Sequence, residues 1–252
     1  MTRDNSPSQQ TQLHYDEIEW LENGVPFSRK FGDIYHPAID PLETARHTFL
    51  KNNRLPARWG NRDTFAIGEL GFGLGLNFLL TLSLWQQSHG ANKAELHYFS
   101  VEKYTLSHSQ MERGLANWDE LEPARSLLLK SYGPNEAQDQ VIDFPGLPAK
   151  LTILFGDAMA AVQRITKPID TWFLDGFDPK KNHEMWSAEL FQSLTKLSAP
   201  EASAATWSAS GTVRRNLQSA GFLVERIPGF GCKRENVRAT LKPNPAPAPD
   251  LG

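Results

Sequence analysis

The sequence predicts an α/β domain whose mostly parallel sheet carries helices on both faces. Three observations predict it. From about Thr64 onward, short apolar strand-like runs alternate with helical ones; a glycine-rich turn joins the first such strand to the first long helix; and acidic residues recur where the strand-like runs end. A length of 252 residues with 40% hydrophobic content suits one compact domain with appendages.

The elements follow in order. The first 13 residues, MTRDNSPSQQTQL, are polar, have no apolar signal region and read as a disordered tail. Residues 14–63 read as an N-terminal extension packed on the core. In it, IEWLENGVPFS brackets Asn23-Gly24, a dipeptide suited to a type I′ hairpin turn, and PLETARHTFLKNN opens at Pro41 as a helix. The main domain spans 64–242. TFAIGEL is a strand that runs straight into GFGLGLNFLLTLSLWQQ, where Leu76, Leu79, Leu80 and Trp85 fall at helical spacing. ELHYFSVEK is the second strand, and SHSQMERGLANW is the next helix, with Ser107 near its start. QVIDFPGL and KLTILFGD form a hairpin around Pro145 to Pro148, and IDTWFLDGF and SAATWSA are two further buried strands. TVRRNLQSAGF is a helix closed by Gly221; it leads into LVERIPGF, and RATLK ends the domain as an edge strand. Residues 243–252 alternate proline with small residues and read as a tail or the start of a linker. The longest apolar stretch, near Phe78 to Trp85, is less than half a membrane span, so the expectation is a cytoplasmic protein without a membrane partner.

Composition removes several classes. With 26 Lys and Arg against 29 Asp and Glu, the net charge is -3, and a polynucleotide partner requires a local basic patch. The single cysteine, Cys232, can form no internal disulfide and is expected to be a small buried or half-buried thiol. No metal is expected: the seven histidines show no paired ligand spacing, and HExxH, GxSxG and P-loop strings are absent.

The central motif is the run from Glu69 to Asn77, with glycines at 71, 73 and 75. Alternate glycines let a strand turn sharply into a helix while the backbone approaches a ligand, and the helix start offers free N–H donors. The string departs from the dinucleotide pattern GxGxxG. An acid before GxGxG repels a diphosphate and suits S-adenosyl-L-methionine, whose ammonium or ordered waters Glu69 can meet. The competing reading is a tight turn that needs glycine for packing alone.

Three more acids end strands, where an open α/β sheet builds its ligand crevice. Glu102 is placed to accept ribose hydroxyls and Asp157 to receive an adenine amino group, although an acid after a strand is more often a helix cap or a solvated turn residue. Asp175 leaves an apolar strand and is followed after one glycine by Phe177. A carboxylate can hold an amino group there while the ring packs on a planar base, which suits methyl transfer to nitrogen. From Val213 onward the chain carries seven Lys and Arg against three acids, a local excess that a phosphate-bearing substrate would require, with Arg214, Arg215, Lys233 and Arg234 as candidates. A solvated helix face explains the same residues.

Taken together, GELGFGLGLNF, FSVEKYTL, WFLDGFDPKKNHEMW, GTVRRNLQSAGF, GFGCKRE and the earlier SRKFGDIYHP resemble the methyltransferase domain of the bifunctional tRNA 5-methylaminomethyl-2-thiouridine biosynthesis proteins, the MnmC family, over roughly residues 15 to 240. The resemblance implies a class I S-adenosyl-L-methionine-dependent methyltransferase fold, Rossmann-like, with a seven-stranded sheet and a small N-terminal hairpin. It implies methylation of 5-aminomethyl-2-thiouridine at the tRNA wobble position, with the anticodon arm as partner. Carried over by position, Glu69, Gly71, Gly73, Gly75 and Asn77 hold the methionine end of the cofactor. Glu102 matches the ribose acid with Lys103 beside it, Asp157 the adenine-side acid, and Asp175 the carboxylate next to the target amine. Phe177, Lys181, Asn182, Met185 and Trp186 wall the substrate pocket, which Asp33 and Tyr35 face from the N-terminal segment.

The chain departs from the family at Leu74, where a small hydroxyl residue is common, and after Pro200, where Glu201 and Ala202 replace a glycine pair. The FAD-dependent oxidoreductase domain is expected to be absent, the chain being a stand-alone form or an excised domain with that activity as a separate partner. Two alternatives stay open: a polyamine aminopropyltransferase-like enzyme, and a non-catalytic cofactor-binding module that docks RNA or a protein partner.

Overall fold

The computed structural model describes residues 13–60, 62–89, 94–134, 139–231 and 233–242. The expectations for residues 1–12, Cys232 and the Pro-rich tail lie outside them. In chain order the elements are β1 (His14–Tyr15), β2 (Ile18–Trp20), β3 (Pro26–Ser28), β4 (Asp33–Ile34), α1 (Pro41–Ala45), β5 (Thr64–Leu70), α2 (Leu76–His89), β6 (Glu95–Glu102), β7 (Tyr104–Thr105) and α3 (His108–Leu115). There follow α4 (Ala124–Ser131), β8 (Gln140–Asp143), β9 (Ala149–Phe155), α5 (Ala158–Val162), β10 (Ile169–Leu174), α6 (Ala188–Leu197), β11 (Ser198–Thr206), α7 (Gly211–Ser219), β12 (Phe222–Pro228) and β13 (Glu235–Leu241).

The main sheet runs β12-β13-β11-β10-β5-β6-β9-β8. Its middle, from β11 to β9, is parallel, and β8, β12 and β13 pair antiparallel, so the sheet is mixed. Among the described residues the sheet has eight strands in place of the expected seven, because the β8–β9 hairpin contributes both of its arms. RATLK is not an edge: β13 lies between β12 and β11, with Val237 and Ala239 fully buried. Its composition misleads because Arg238 faces Glu225 across the β12–β13 pair and forms an ion pair with it, which lets a charged residue sit inside the sheet.

Each face of the sheet buries its own core. Phe65, Ile67, Tyr98, Leu151, Ile153 and Phe173 pack under α2 and α4, whereas Leu70, Phe99, Val101, Trp172 and Leu174 pack under α5, α6 and α7. Alternate residues of one strand supply opposite faces, and each such side chain contributes roughly 1.5–3 kcal/mol of burial. The predicted start of α3 holds: the Ser107 hydroxyl accepts from the Gln110 N–H, and the Gln110 side chain accepts from the Ser107 N–H at 2.7 Å.

Ahead of the sheet, β2, β3 and β4 form a small antiparallel sheet. The turn between β2 and β3 is not the expected type I′. It spans residues 21–25, and only Gly24 has positive φ, because the Asn23 side chain instead accepts from the Val25 N–H at 3.2 Å. The helix opened by Pro41 continues past α1 as a wider-wound segment, Arg46–Lys51.

The Glu201 departure leaves a physical trace. Its φ is 58°, in the left-handed region, and its carbonyl accepts from Arg58 at 3.0 Å. A side chain there costs roughly 1–2 kcal/mol, part of which glycine gives back as unfolded-state entropy. Glu201→Gly is expected to raise stability by about 0.5–1 kcal/mol, read as a higher urea midpoint at unchanged m-value. An unchanged or lower midpoint contradicts this account of the turn.

Candidate active site

A cavity of about 1060 Å³ opens at the carboxyl ends of β5, β6, β9 and β10, roofed by the segment from Lys30 to Pro41. That is the upper end of ordinary ligand pockets and leaves room for a cofactor and a second group. Gly71, Gly73, Asn77, Glu102, Lys103, Asp157 and Asp175 all line it, as do Asp33, Tyr35, Phe177, Asn182, Met185 and Lys233. Glu69, Gly75, Lys181, Trp186, Arg214, Arg215 and Arg234 are not among its lining residues.

The glycine turn is fixed from both sides. Gly71 has φ +93°, and a Cβ there would lie 2.3 Å from the backbone oxygen of Asp175. The Gly71 N–H donates to the Val101 carbonyl at 2.9 Å, and the Asp175 N–H donates to the Leu70 carbonyl at 3.1 Å. β5 therefore brings the cofactor-type turn and the candidate carboxylate into backbone contact.

Glu69 lies under this floor, fully buried, where it accepts from Asn77 Nδ2 at 2.9 Å and bonds the Ser100 hydroxyl at 2.6 Å. Burial pushes its carboxyl up to about 8. The same Asn77 nitrogen donates to Asp175 Oδ2 at 2.7 Å. Burial pushes the Asp175 carboxyl up to about 6, and the Asn77 amide and the Trp207 ring N–H oppose that rise. Glu102 accepts the Gly73 N–H on Oε2 at 3.0 Å and the Tyr104 N–H on Oε1 at 2.9 Å. The Lys103 backbone N–H is a third donor beside it. Burial raises this carboxyl as well, with the backbone donors pulling the other way. Asp157 caps α5 by accepting the Met159 N–H at 3.1 Å and pairs with Lys103 at 3.0 Å, so the capping role foreseen as the competing reading is present.

Several substrate candidates act as fasteners. Asp33 accepts from the Asp178 N–H at 2.9 Å, which ties β4 to the loop after β10, and Lys181 donates to the Gly32 carbonyl across the same seam. The Tyr35 hydroxyl donates to Asp16 at 2.6 Å, and burial raises its pKa. Trp186 Nε1 donates to the Phe177 carbonyl at 2.9 Å. Arg214 donates to Ala209 and Arg215 to Thr212 on or beside their own helix, so the C-terminal basic residues do not converge on the pocket. Lys233 does reach it, 4.4 Å above the Trp207 ring.

Sequence reasoning missed Phe31, stacked on Phe177 at 4.6 Å between ring centroids, and Trp207, Ser100 and Asp16. No spacing announces them, since each is brought in by a different element. Among the described residues no helix is long and apolar enough to cross a membrane.

Comparison with known proteins gives a consistent picture. A family model described as S-adenosyl-L-methionine-dependent methyltransferase matches residues 119–242, a span that includes Asp157 and Asp175 but begins after the glycine turn. The Pseudomonas aeruginosa tRNA 5-methylaminomethyl-2-thiouridine biosynthesis bifunctional protein MnmC is 43% identical over 239 residues, covering 94% of this chain and 36% of that protein. Its counterpart from Stutzerimonas stutzeri is 41% identical over 249 residues, covering 98% of this chain and 38% of that protein. The chain thus spans little more than a third of the length of these relatives. The crystal structure of MnmC2 from Aquifex aeolicus superposes with a TM-score of 0.73 at 22% identity, covering 92% of this chain and 71% of that one, and shares the fold.

Proposed function

We propose, from the premise that this chain is a homologue of the methyltransferase part of those bifunctional proteins, that it methylates the exocyclic amine of 5-aminomethyl-2-thiouridine at the tRNA wobble position, using S-adenosyl-L-methionine. The observation that carries the reading is the backbone contact between the glycine turn and Asp175, which puts the cofactor-type turn and the amine-holding carboxylate in one cavity.

The residues present fit the cofactor. The turn is ringed by the carboxylates of Glu102 and Asp175, acceptors that suit a sulfonium bearing an ammonium group and repel a diphosphate. Asn77 spends its nitrogen on two carboxylates, so toward the cofactor's amino group it offers its carbonyl oxygen. Glu102, which lines the cavity, takes the ribose hydroxyls, and Asp157 with Lys103 borders the adenine side. When bound, the cofactor supplies an electrophilic methyl carbon whose bond to sulfur breaks as the bond to nitrogen forms.

The rest falls to the protein. Phe177, stacked on Phe31 and edge-on to Tyr35 at 5.2 Å, provides an aromatic wall for the thiouracil ring. Met185 and Asn182 close the same side, and Lys233, the one of the four C-terminal basic candidates that lines the cavity, meets a phosphate of the anticodon arm. Asp175 accepts a hydrogen bond from the amine, holds its lone pair toward the methyl carbon and takes up the released proton.

This assigns the ionised form of Asp175 to catalysis. A carboxyl pushed up to about 6 is charged above that pH and neutral below it. Single-turnover methyl transfer is therefore expected to fall as pH drops through about 6, roughly tenfold per unit beyond it, and a rate that stays flat down to pH 4.5 contradicts the role. The assignment itself is tested by incubating the protein with labelled methyl donor and tRNA from cells lacking the modification, then separating nucleosides. The expected label is in 5-methylaminomethyl-2-thiouridine; label in another nucleoside, a protein or a polyamine overturns it.

A further inference from the structure

We propose that Glu69 is a positioning residue: it takes one hydrogen of the Asn77 amide so that the other is aimed at Asp175, and it thereby fixes the carboxylate that meets the amine. The inference rests on the reading of Asp175 given above.

The geometry leaves Glu69 little else to do. Its side chain is fully buried and absent from the cavity lining, with Ser100 on one oxygen, Asn77 on the other and the buried Tyr98 hydroxyl beside it, which burial and the two acids keep protonated. An acid at this place in the turn invites assignment as a cofactor ligand, yet here the helix-start residue Asn77 stands between it and the pocket. A primary amide carries two hydrogens on one nitrogen, and Nδ2 has a carboxylate oxygen at 2.9 Å on one side and at 2.7 Å on the other. Filling both sites locks the amide plane. The backbone end of Asn77 is locked as well, because its carbonyl accepts from the Thr81 hydroxyl at 2.6 Å. Without the Glu69 acceptor, Asn77 can rotate, and Asp175 loses a donor that steadies both its rotamer and its charged form. Burial, with the charge of Asp175 adding to it, raises the Glu69 carboxyl, so Glu69 keeps its proton as Asp175 ionises and is linked to it by the shared amide.

The substitutions Glu69→Met and Glu69→Gln separate these roles. Met keeps the volume and removes the acceptor. Gln keeps an oxygen for Asn77 and presents an amide to Ser100, mimicking the neutral acid. Three quantities are read: S-adenosyl-L-methionine Kd by calorimetry, the single-turnover rate on undermodified tRNA, and the pH of the acid limb of that rate. For the Met variant the rate is expected to fall at least tenfold and the acid limb to move above pH 6, with Kd within threefold of the parent. The Gln variant is expected to match the parent within threefold in Kd and rate, with an unmoved limb. A Gln variant whose Kd weakens tenfold shows a carboxylate used directly on the cofactor and overturns the proposal, and this arm stands even if the Met variant fails to fold. So does a folded Met variant with parental rate and limb while Asp175→Asn is inactive. An active Asp175→Asn removes the reading of Asp175 itself, and the proposal falls with it.

Discussion

Asp175→Asn is expected to lower the single-turnover rate of methyl transfer by roughly a hundredfold or more while cofactor Kd stays within about threefold. The asymmetry follows from the surroundings. The Asn carbonyl can still accept from Asn77, so the floor of the pocket and the backbone bond to Leu70 survive. What disappears is a charged acceptor for the amine and a place for its proton. In water an alkylamine is protonated near neutral pH, and an ammonium has no lone pair to attack with; a neutral amide cannot draw that proton away. The measurement pairs a rapid-quench rate with calorimetric cofactor titration. A variant within threefold of the parental rate would mean that proximity alone suffices and that Asp175 is structural.

Gly71→Ala is expected to act on fold and cofactor together. The added Cβ would lie 2.3 Å from the Asp175 carbonyl oxygen, and neither side can retreat cheaply because Gly71 is bonded to Val101 and Asp175 to Leu70. The φ of +93° adds strain that no L side chain relieves. Together these cost about 2–4 kcal/mol, and any relief by movement separates the turn from Asp175. Urea unfolding should show the loss, and cofactor Kd should weaken more than tenfold. Gly24→Ala is the control: its φ is +80°, but the added carbon meets nothing within 4 Å, so only the backbone term of roughly 1 kcal/mol remains. Equal losses at the two positions would show that strain, and not the close approach to Asp175, governs the turn.

Much of the fold was legible because its signals are local. The apolar runs of β5, β6, β9 and β10, the glycine turn, the Ser107 cap and the Gly221 stop each sit within a few residues of chain, where hydrophobic period, capping and positive φ act directly. Placement was not legible. RATLK reads as an edge strand until Glu225 is known to sit opposite Arg238, and Asn23-Gly24 reads as a two-residue turn until the Asn23 side chain is seen to bond Val25. The same divide runs through the site. Glu102, Asp157 and Asp175, singled out by their positions at strand ends, all line the cavity. Phe31 and Trp207 were not, because their relation to Phe177 and Asp175 exists only after distant elements pack.

The sequence by itself determined the sheet's parallel centre, the turn that suits a sulfonium cofactor and the acids at the strand ends, since each depends on backbone conformation over a short span. Only the tertiary structure decided which of those acids faces the cavity and which lies beneath it. Glu69 and Asp175 look alike as strand-end carboxylates. Packing against Ser100 and Asn77 removes the first from the pocket, whereas the bend at Gly71 leaves the second on its floor. Whether a strand-end carboxylate is buried depends on what distant elements pack against it, and the few residues around it do not encode that.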